Sequence, residues 1–225
     1  MASSIDLFPL WLTLKVAGLA TVLTFVAATA LAFLMSRRRF WGREWLDALF
    51  TLPLVLPPTV LGYYLIVLVG RRGWLGPWLE RNFGVTLIFT WQGAVLAAAL
   101  VSFPLIFKTA RAAFEEVDPN LEDAARTLRL SELALFFRVS FPLAWRGILS
   151  GTMLAFARSL GEFGATLMVA GNLPGKTQTL SIAVYQAVQS GQDQMANFLV
   201  LLISLVCVII LVASGKFLKP ADLRT

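Results

Sequence analysis

The chain has 225 residues, of which 58% are hydrophobic and 14% charged, and its formal net charge is +6. A soluble domain carries charge on about a quarter of its residues, so this composition excludes an ordinary water-soluble domain. The sequence has no histidine and one cysteine, Cys207, which removes the commonest general base and any internal disulfide.

Five long apolar blocks follow one another along the chain. A helix needs roughly 20 mostly apolar residues to cross a bilayer, and a backbone exposed to lipid must satisfy its own hydrogen bonds. We therefore predict an all-α membrane protein with about five transmembrane helices. The blocks cover approximately residues 9–35, 46–69, 86–109, 147–170 and 194–215.

The basic residues are concentrated in alternate connections between these blocks. By the positive-inside rule such connections face the cytoplasm, which places the N-terminus outside and the C-terminus inside. This distribution explains the net charge without a nucleic-acid partner. The basic connections contain Arg37, Arg38, Arg39, Arg43, Lys108, Arg111, Arg126, Arg129, Arg138, Arg146, Lys216, Lys219 and Arg224, whereas Arg71, Arg72, Arg81 and Lys176 lie on the other side.

The connection over residues 110–146 is long, which favours a structure or function of its own. Pro119 precedes a helix-prone run to Leu128, and Ser131 is placed to cap a second short helix. Phe141-Pro142 is predicted to end that helix, because proline disfavours helix in the residue before it. From periodicity alone two interpretations stay open, a helix pair that docks into a partner and a solvated connector.

The residues from Asp123 to Pro142 resemble the EAA loop of the integral membrane subunits of ABC importers. The family pattern is Glu-Ala-Ala, three residues, Gly, nine residues, Ile, any residue, Leu-Pro, and the spacing here matches it throughout. The resemblance implies two short helices that fit a groove on a cytoplasmic ABC ATPase and carry its movement into the membrane. The residues to which it assigns this coupling are Glu122, Asp123, Ala124, Ala125, Arg129, Phe141 and Pro142.

Two residues depart from the family pattern. Asp123 replaces the glutamate, and Glu122 beside it is expected on the docking surface as a longer carboxylate. Arg129 replaces the glycine between the two helices, which implies either a turn of ordinary backbone geometry or some strain.

A second resemblance concerns the substrate. The runs Leu52–Val60, Phe156–Thr166 and Asn172–Thr179 are similar to segments of molybdate and sulfate permeases. The compact length is more like the molybdate/tungstate branch, with sulfate/thiosulfate permeases as the alternative. The resemblance implies the type I ABC importer permease fold, a type-1 transmembrane domain over residues 10–215 and a short cytoplasmic tail over 216–225.

A few polar residues and prolines inside the spans are candidates for the translocation path or gate. Arg158 and Glu162 stand at i and i+4 and can form an ion pair, either as a structural contact or as part of the path. Prolines in the second block favour a kink, which is either part of a gate or a static bend. The candidates are Pro57, Thr59, Arg158, Ser159 and Glu162.

These observations predict a translocation subunit rather than an enzyme, with no catalytic residue, no metal site and no cofactor bound by this chain. No phosphate-binding G-x-x-x-x-G-K-[ST] loop occurs, so ATP is assigned to the partner. The expected partners are the ATPase, an extracytoplasmic oxyanion-binding protein, a second copy of the chain and the lipid of the bacterial inner membrane. The remaining alternatives are an ATPase-independent channel or secondary transporter, which often shows repeated halves, and a hydrolase using Ser159.

Overall fold

A computed structural model describes residues 6–38 and 40–218 of the chain. In these residues every regular element is a helix, which confirms the predicted all-α class. Within this described part of the chain, four helices are long and apolar enough to cross a membrane, or five if one sharply bent helix pair counts as a single span. Arg39, Lys219 and Arg224, together with residues 220–223 and 225 of the predicted tail, lie outside the described residues.

The helices follow one another with short connections. They are α1 Phe8–Arg37, α2 Arg43–Val55, α3 Pro58–Val69, α4 Gly76–Phe83, α5 Trp91–Glu115, α6 Pro119–Thr127, α7 Glu132–Leu135, a π-helical turn Phe136–Ser140, α8 Phe141–Leu160, α9 Gly164–Ala170, α10 Leu180–Gln189 and α11 Asp193–Leu218.

Helices α1 and α5 form the centre of the bundle and meet along a seam of alanines. Lipid is as apolar as the core, so helices in a membrane associate through close packing, which small residues permit. The seam is fully buried along both helices, and it explains why α1 and α5 lie side by side. Its members include Ala17, Ala20, Ala28 and Ala32 of α1 and Ala94, Ala98 and Ala110 of α5.

Helix α8 packs on α5 through two glycines one turn apart, Gly147 and Gly151. A methyl group added to Gly147 would lie 2.6 Å from Cβ of Ala113, and one added to Gly151 would lie 1.8 Å from Oγ1 of Thr109. This G-x-x-x-G spacing is a known signal for close helix packing in membranes.

The second predicted span is broken rather than kinked. The helix axis bends by 118° between α2 and α3, across Leu56 and Pro57. Leu56 and Pro57 each precede a proline, and both are extended, with ψ values of 142° and 137°. A residue before proline is disfavoured in the helical region, so two successive prolines stop one helix and start another.

The fourth predicted span, over 147–170, is wrong at both ends. The helix starts at Glu132, continues through the π turn, and ends at Leu160, whereas α9 is a separate helix. Phe141-Pro142 therefore does not end the second short helix. The N–H of Phe141 bonds to the carbonyl of Phe136, five residues back, and Pro142 lies in the first turn of α8, where its missing donor is tolerated.

Candidate functional site: the EAA-like segment and the broken helices

The EAA-like segment, which we define as residues 119–142, begins with two capped helices. The side chain of Asp118 accepts a hydrogen bond from the Asn120 N–H at 2.9 Å, with Pro119 in the first turn of α6. The side chain of Ser131 accepts one from the Ala134 N–H at 3.3 Å and starts α7. The predicted helix pair is confirmed, although α7 passes directly into the π turn.

Helix α6 presents one face to the bundle and the opposite face to solvent. Only Glu122 and Ala125 of this helix are buried, at 2% and 5% exposure. Leu121 and Leu128 are 49% and 78% exposed, and Asp123 and Ala124 are exposed with them. The exposed face therefore carries an apolar stripe, which outside a membrane is typical of a docking surface.

The expectation that Glu122 lies on the docking surface is wrong. Its carboxylate oxygen Oε1 accepts hydrogen bonds from Arg37 Nη2 at 2.5 Å and from Ser140 Oγ at 2.6 Å. A buried carboxylate needs such partners, and the chain provides them from the end of α1 and from the π turn. Of the two acidic residues, Asp123 is the one that faces outward.

The charges on the outer side of α6 are paired with each other. Arg126 donates hydrogen bonds to Asp123 and Glu132, each at 2.9 Å. The hydrogen bond to Glu132, followed by the one to Asp123, raises the pKa of Arg126. The guanidinium therefore stays charged at any physiological pH. The pairing links α6 to α7 across the turn that contains Arg129.

Arg129 adopts the strained alternative, with φ of +59° in the left-handed region. The Leu130 N–H bonds to the Ala125 carbonyl at 3.3 Å, and the Arg129 N–H bonds to the Arg126 carbonyl at 2.9 Å. This hydrogen-bond pair is the Schellman motif, whose left-handed position is normally glycine. The family's glycine therefore has a backbone role here, and arginine fulfils it at a conformational cost.

An Arg129→Gly variant should be at least as thermally stable as the parent chain. The substitution removes a left-handed penalty of about 1–2 kcal/mol, partly offset by the greater unfolded-state entropy of glycine. Arg129→Val should lower the melting temperature, since a β-branched residue tolerates positive φ poorly. Thermal denaturation in detergent compares the three proteins, and a lower melting temperature for Arg129→Gly would show that the arginine side chain contributes more than its backbone costs.

The last two predicted coupling residues, Phe141 and Pro142, lie at the start of α8. The ring of Phe141 packs against Phe136 and Phe25, with centroids 5.7 and 6.4 Å apart. Pro142 is exposed. The segment thus ends in an aromatic cluster that joins α1, the π turn and α8.

The candidate path residues lie at the second helix break, between α8 and α9. Arg158 Nη2 and Glu162 Oε2 are 2.9 Å apart, so the ion pair forms as predicted. Glu162 is not in a helix, however, because α8 ends at Leu160. Its other oxygen accepts a hydrogen bond from the Ala165 N–H at 2.9 Å and thereby caps α9.

The break between α2 and α3 lies close in space to the break between α8 and α9. A methyl group added to Gly164, the first residue of α9, would lie 3.0 Å from Cβ of Pro58 and 3.5 Å from N of Thr59. The structure therefore brings the start of α3, with Pro57 and Thr59, beside the start of α9. Ser159 is buried in the last turn of α8, and its hydroxyl has no hydrogen-bond partner among the described residues.

A Glu162→Gln variant should lose transport more severely than a polar substitution in an outer loop. The amide cannot neutralise Arg158, whose side chain is 37% exposed beside the 2% exposed Glu162, and a charge within a membrane span is costly when it has no partner. A cycle with Arg158→Gln and the double variant measures the coupling of the two residues in uptake. Additive losses would show that the two side chains act independently.

Comparison with known proteins assigns the chain to a family. Residues 20–221 match the family described as the binding-protein-dependent transport system inner membrane component. The chain belongs to this family. It is 46% identical to the molybdenum transport system permease protein ModB of Escherichia coli (strain K12) over 204 residues, which cover 90% of this chain and 89% of that protein.

This inner membrane component also has more distant relatives. It is 36% identical over 201 residues to the sulfate transport system permease protein CysW of Synechococcus elongatus, covering 89% of this chain and 70% of the relative. It also resembles a chain of a bacterial alginate ABC transporter solved in complex with an alginate pentasaccharide-bound periplasmic protein. That match has a TM-score of 0.75 at 14% identity and covers 97% of this chain and 81% of the other. The predicted type I importer permease fold is confirmed.

The inner membrane component thus holds its predicted site residues in two separate places. The EAA-like segment lies at the end of the bundle where Arg37 meets Glu122, and the path candidates lie where the two broken helices meet. Their functional roles stay predictions. Sequence reasoning missed the buried position of Glu122 and the contact between the two breaks, and the local pattern carries no signal for either, because both partners are distant in the chain.

Proposed function

We propose that this chain is the membrane-spanning permease subunit of an ATP-driven importer of molybdate. The similarity to a molybdenum permease over nine-tenths of the chain carries this proposal, since the sulfate relative is less similar over a comparable length. Tungstate, a tetrahedral dianion of almost the same size, is expected to follow the same path. Sulfate is the second candidate, favoured by the sulfate relative.

The ATPase is assigned to the exposed face of α6. This face combines the apolar stripe of Leu121, Ala124 and Leu128 with the charged pair of Asp123 and Arg126, as expected for a short helix that docks in a groove. The ATPase supplies ATP hydrolysis, and the permease binds no nucleotide. A second copy of the chain completes the path as a two-fold dimer, the commonest closed assembly.

The orientation that we propose has the N-terminus outside and the C-terminus in the cytoplasm. The ends of α1, α2 and α5 that carry basic residues lie at the same end of the bundle as α6, because Arg37 bonds to Glu122 and Arg43 to Glu115. By the positive-inside rule this end is cytoplasmic. The extracytoplasmic binding protein then delivers the oxyanion at the opposite end, near the start of α5.

The function can be tested by transport into proteoliposomes. The chain is reconstituted with its ATPase and binding protein, and uptake of radiolabelled molybdate is measured with and without ATP. We expect ATP-dependent uptake that unlabelled tungstate inhibits and sulfate inhibits only weakly. Uptake that needs no ATP would support a channel or secondary transporter, and inhibition by sulfate alone would assign the chain to the sulfate branch.

Orientation is checked separately by cysteine labelling. In a Cys207→Ser background, Asn120→Cys should be protected from an impermeant thiol reagent in intact cells, and Lys176→Cys should react. Both positions are exposed in the structure, so access is decided by the side of the membrane. The opposite labelling pattern would invert the topology.

A further inference from the structure

We propose that Glu122 is a positioning residue that ties helix α6 to the membrane domain, so that a displacement of α6 moves α1 and α8 with it. This inference rests on the proposed function, because it concerns how the movement of a docked ATPase enters the bundle. It differs from the role that the family resemblance implies, in which the acidic residues of the loop face the ATPase.

The carboxylate of Glu122 connects three elements at one point. It belongs to α6, and its Oε1 atom accepts hydrogen bonds from Arg37 in the last turn of α1 and from Ser140 in the π turn. The π turn continues into α8 without a break in the helix. One side chain therefore links the docking helix to two helices of the central bundle.

Few other side-chain contacts of α6 reach the bundle. Ala125 is the other buried residue of this helix, and a methyl group makes packing contacts but no hydrogen bond. The remaining charged contacts of α6 join it to α7 through Arg126 and Glu132, and these are exposed on the segment's own surface. Apart from the chain connections at its two ends, α6 is therefore bonded to α1 and to the π turn through Glu122.

The chemistry of the site also favours positioning over stability. Burying an ion pair costs desolvation that an apolar contact avoids, so a buried pair is a poor source of stability. Hydrogen bonds between charged groups are nevertheless short and directional. Glu122 is 2% exposed, and Arg37 bonds to it through Nη2, while Nε of Arg37 is buried with no hydrogen-bond partner among the described residues. The geometry thus fixes the orientation of α6 relative to α1.

The test compares Glu122→Gln with Glu116→Gln in the complete transporter. Glu116 is an exposed carboxylate just after α5, so the control makes the same change outside the three-way contact. Two quantities are measured, the amount of ATPase that copurifies from detergent and the molybdate transported per ATP hydrolysed in proteoliposomes. For Glu122→Gln we expect normal ATPase retention and an about tenfold lower transport ratio, because the amide oxygen can still accept the two hydrogen bonds but no longer carries the charge that strengthens them. Glu116→Gln should match the parent in both.

A milder variant keeps the test decisive if Glu122→Gln fails to fold. Ser140→Ala removes only the link to the π turn and leaves the ion pair with Arg37 intact, so it should give a smaller fall in the same ratio. The proposal would be overturned if a folded Glu122 or Ser140 variant transported as much molybdate per ATP hydrolysed as the parent. It would also be overturned if the ATPase no longer copurified with the variant. Absence of molybdate uptake by the parent transporter would instead count against the proposed function, so the two failures are distinguishable.

Discussion

An Ala124→Trp variant should insert in the membrane normally, but it should no longer retain its ATPase. Ala124 lies on the exposed face of α6 between Leu121 and Leu128, where a groove on a partner leaves little room for an indole. Overfilling a tight contact costs about 1–3 kcal/mol, which weakens association roughly tenfold or more. Copurification from detergent and molybdate uptake in cells measure the two consequences.

Two controls separate docking from folding of the segment. Ala125→Trp makes the same change on the buried face of α6 and should displace the helix from the bundle, lowering the melting temperature of the permease itself. Ala112→Trp places the indole on an exposed position of α5 outside the segment and should leave ATPase retention unchanged. Normal retention and uptake in Ala124→Trp would show that the exposed face of α6 is not the docking surface.

Gly151→Leu should prevent accumulation of the folded permease. A β-carbon at this position would lie 1.8 Å from Oγ1 of Thr109, 2.9 Å from its Cβ and 3.0 Å from the Leu105 carbonyl oxygen. Rotation of Thr109 relieves only part of this overlap, because one of the neighbours is backbone, so α8 must separate from α5. Even Gly151→Ala should lower the melting temperature, by an overpacking cost of about 1–3 kcal/mol.

The chain offers a matched control for this prediction. Gly18 lies in α1, and a methyl group added to it would meet nothing within 4 Å. Gly18→Ala should therefore be neutral or stabilising, since alanine is the better helix former by about 1 kcal/mol. Adding Thr109→Ala to Gly151→Ala should recover part of the lost stability, and equal melting temperatures for Gly151→Ala and Gly18→Ala would contradict the close packing.

The sequence predicts the class of this fold well because bilayer thickness and apolar block length are directly related. Helix continuity is less predictable. Pro57 stands at a helix break, whereas Pro142 lies within a continuous helix. The difference lies in what surrounds them, since a second proline follows Pro57, whereas a π turn accommodates Pro142.

The candidate site was also predictable only in part from the sequence. The spacing of the EAA-like segment predicts α6 and its caps, because these depend on neighbours in sequence. It misplaces Glu122, since the partner that draws this side chain inward, Arg37, is 85 residues away in the chain. At Arg129 the departure from the family's glycine correctly raises the question of strain, but only the backbone geometry decides it.

The alanine seam between α1 and α5 has a consequence for thermal behaviour. An alanine side chain has no rotamers to lose on burial, whereas Met or Lys loses about 1.5–2 kcal/mol of conformational freedom. Ala20 and Ala98 belong to one buried cluster, and packing of this kind avoids the side-chain entropy penalty that grows on warming. The seam should remain closed at temperatures at which contacts between longer side chains have begun to loosen.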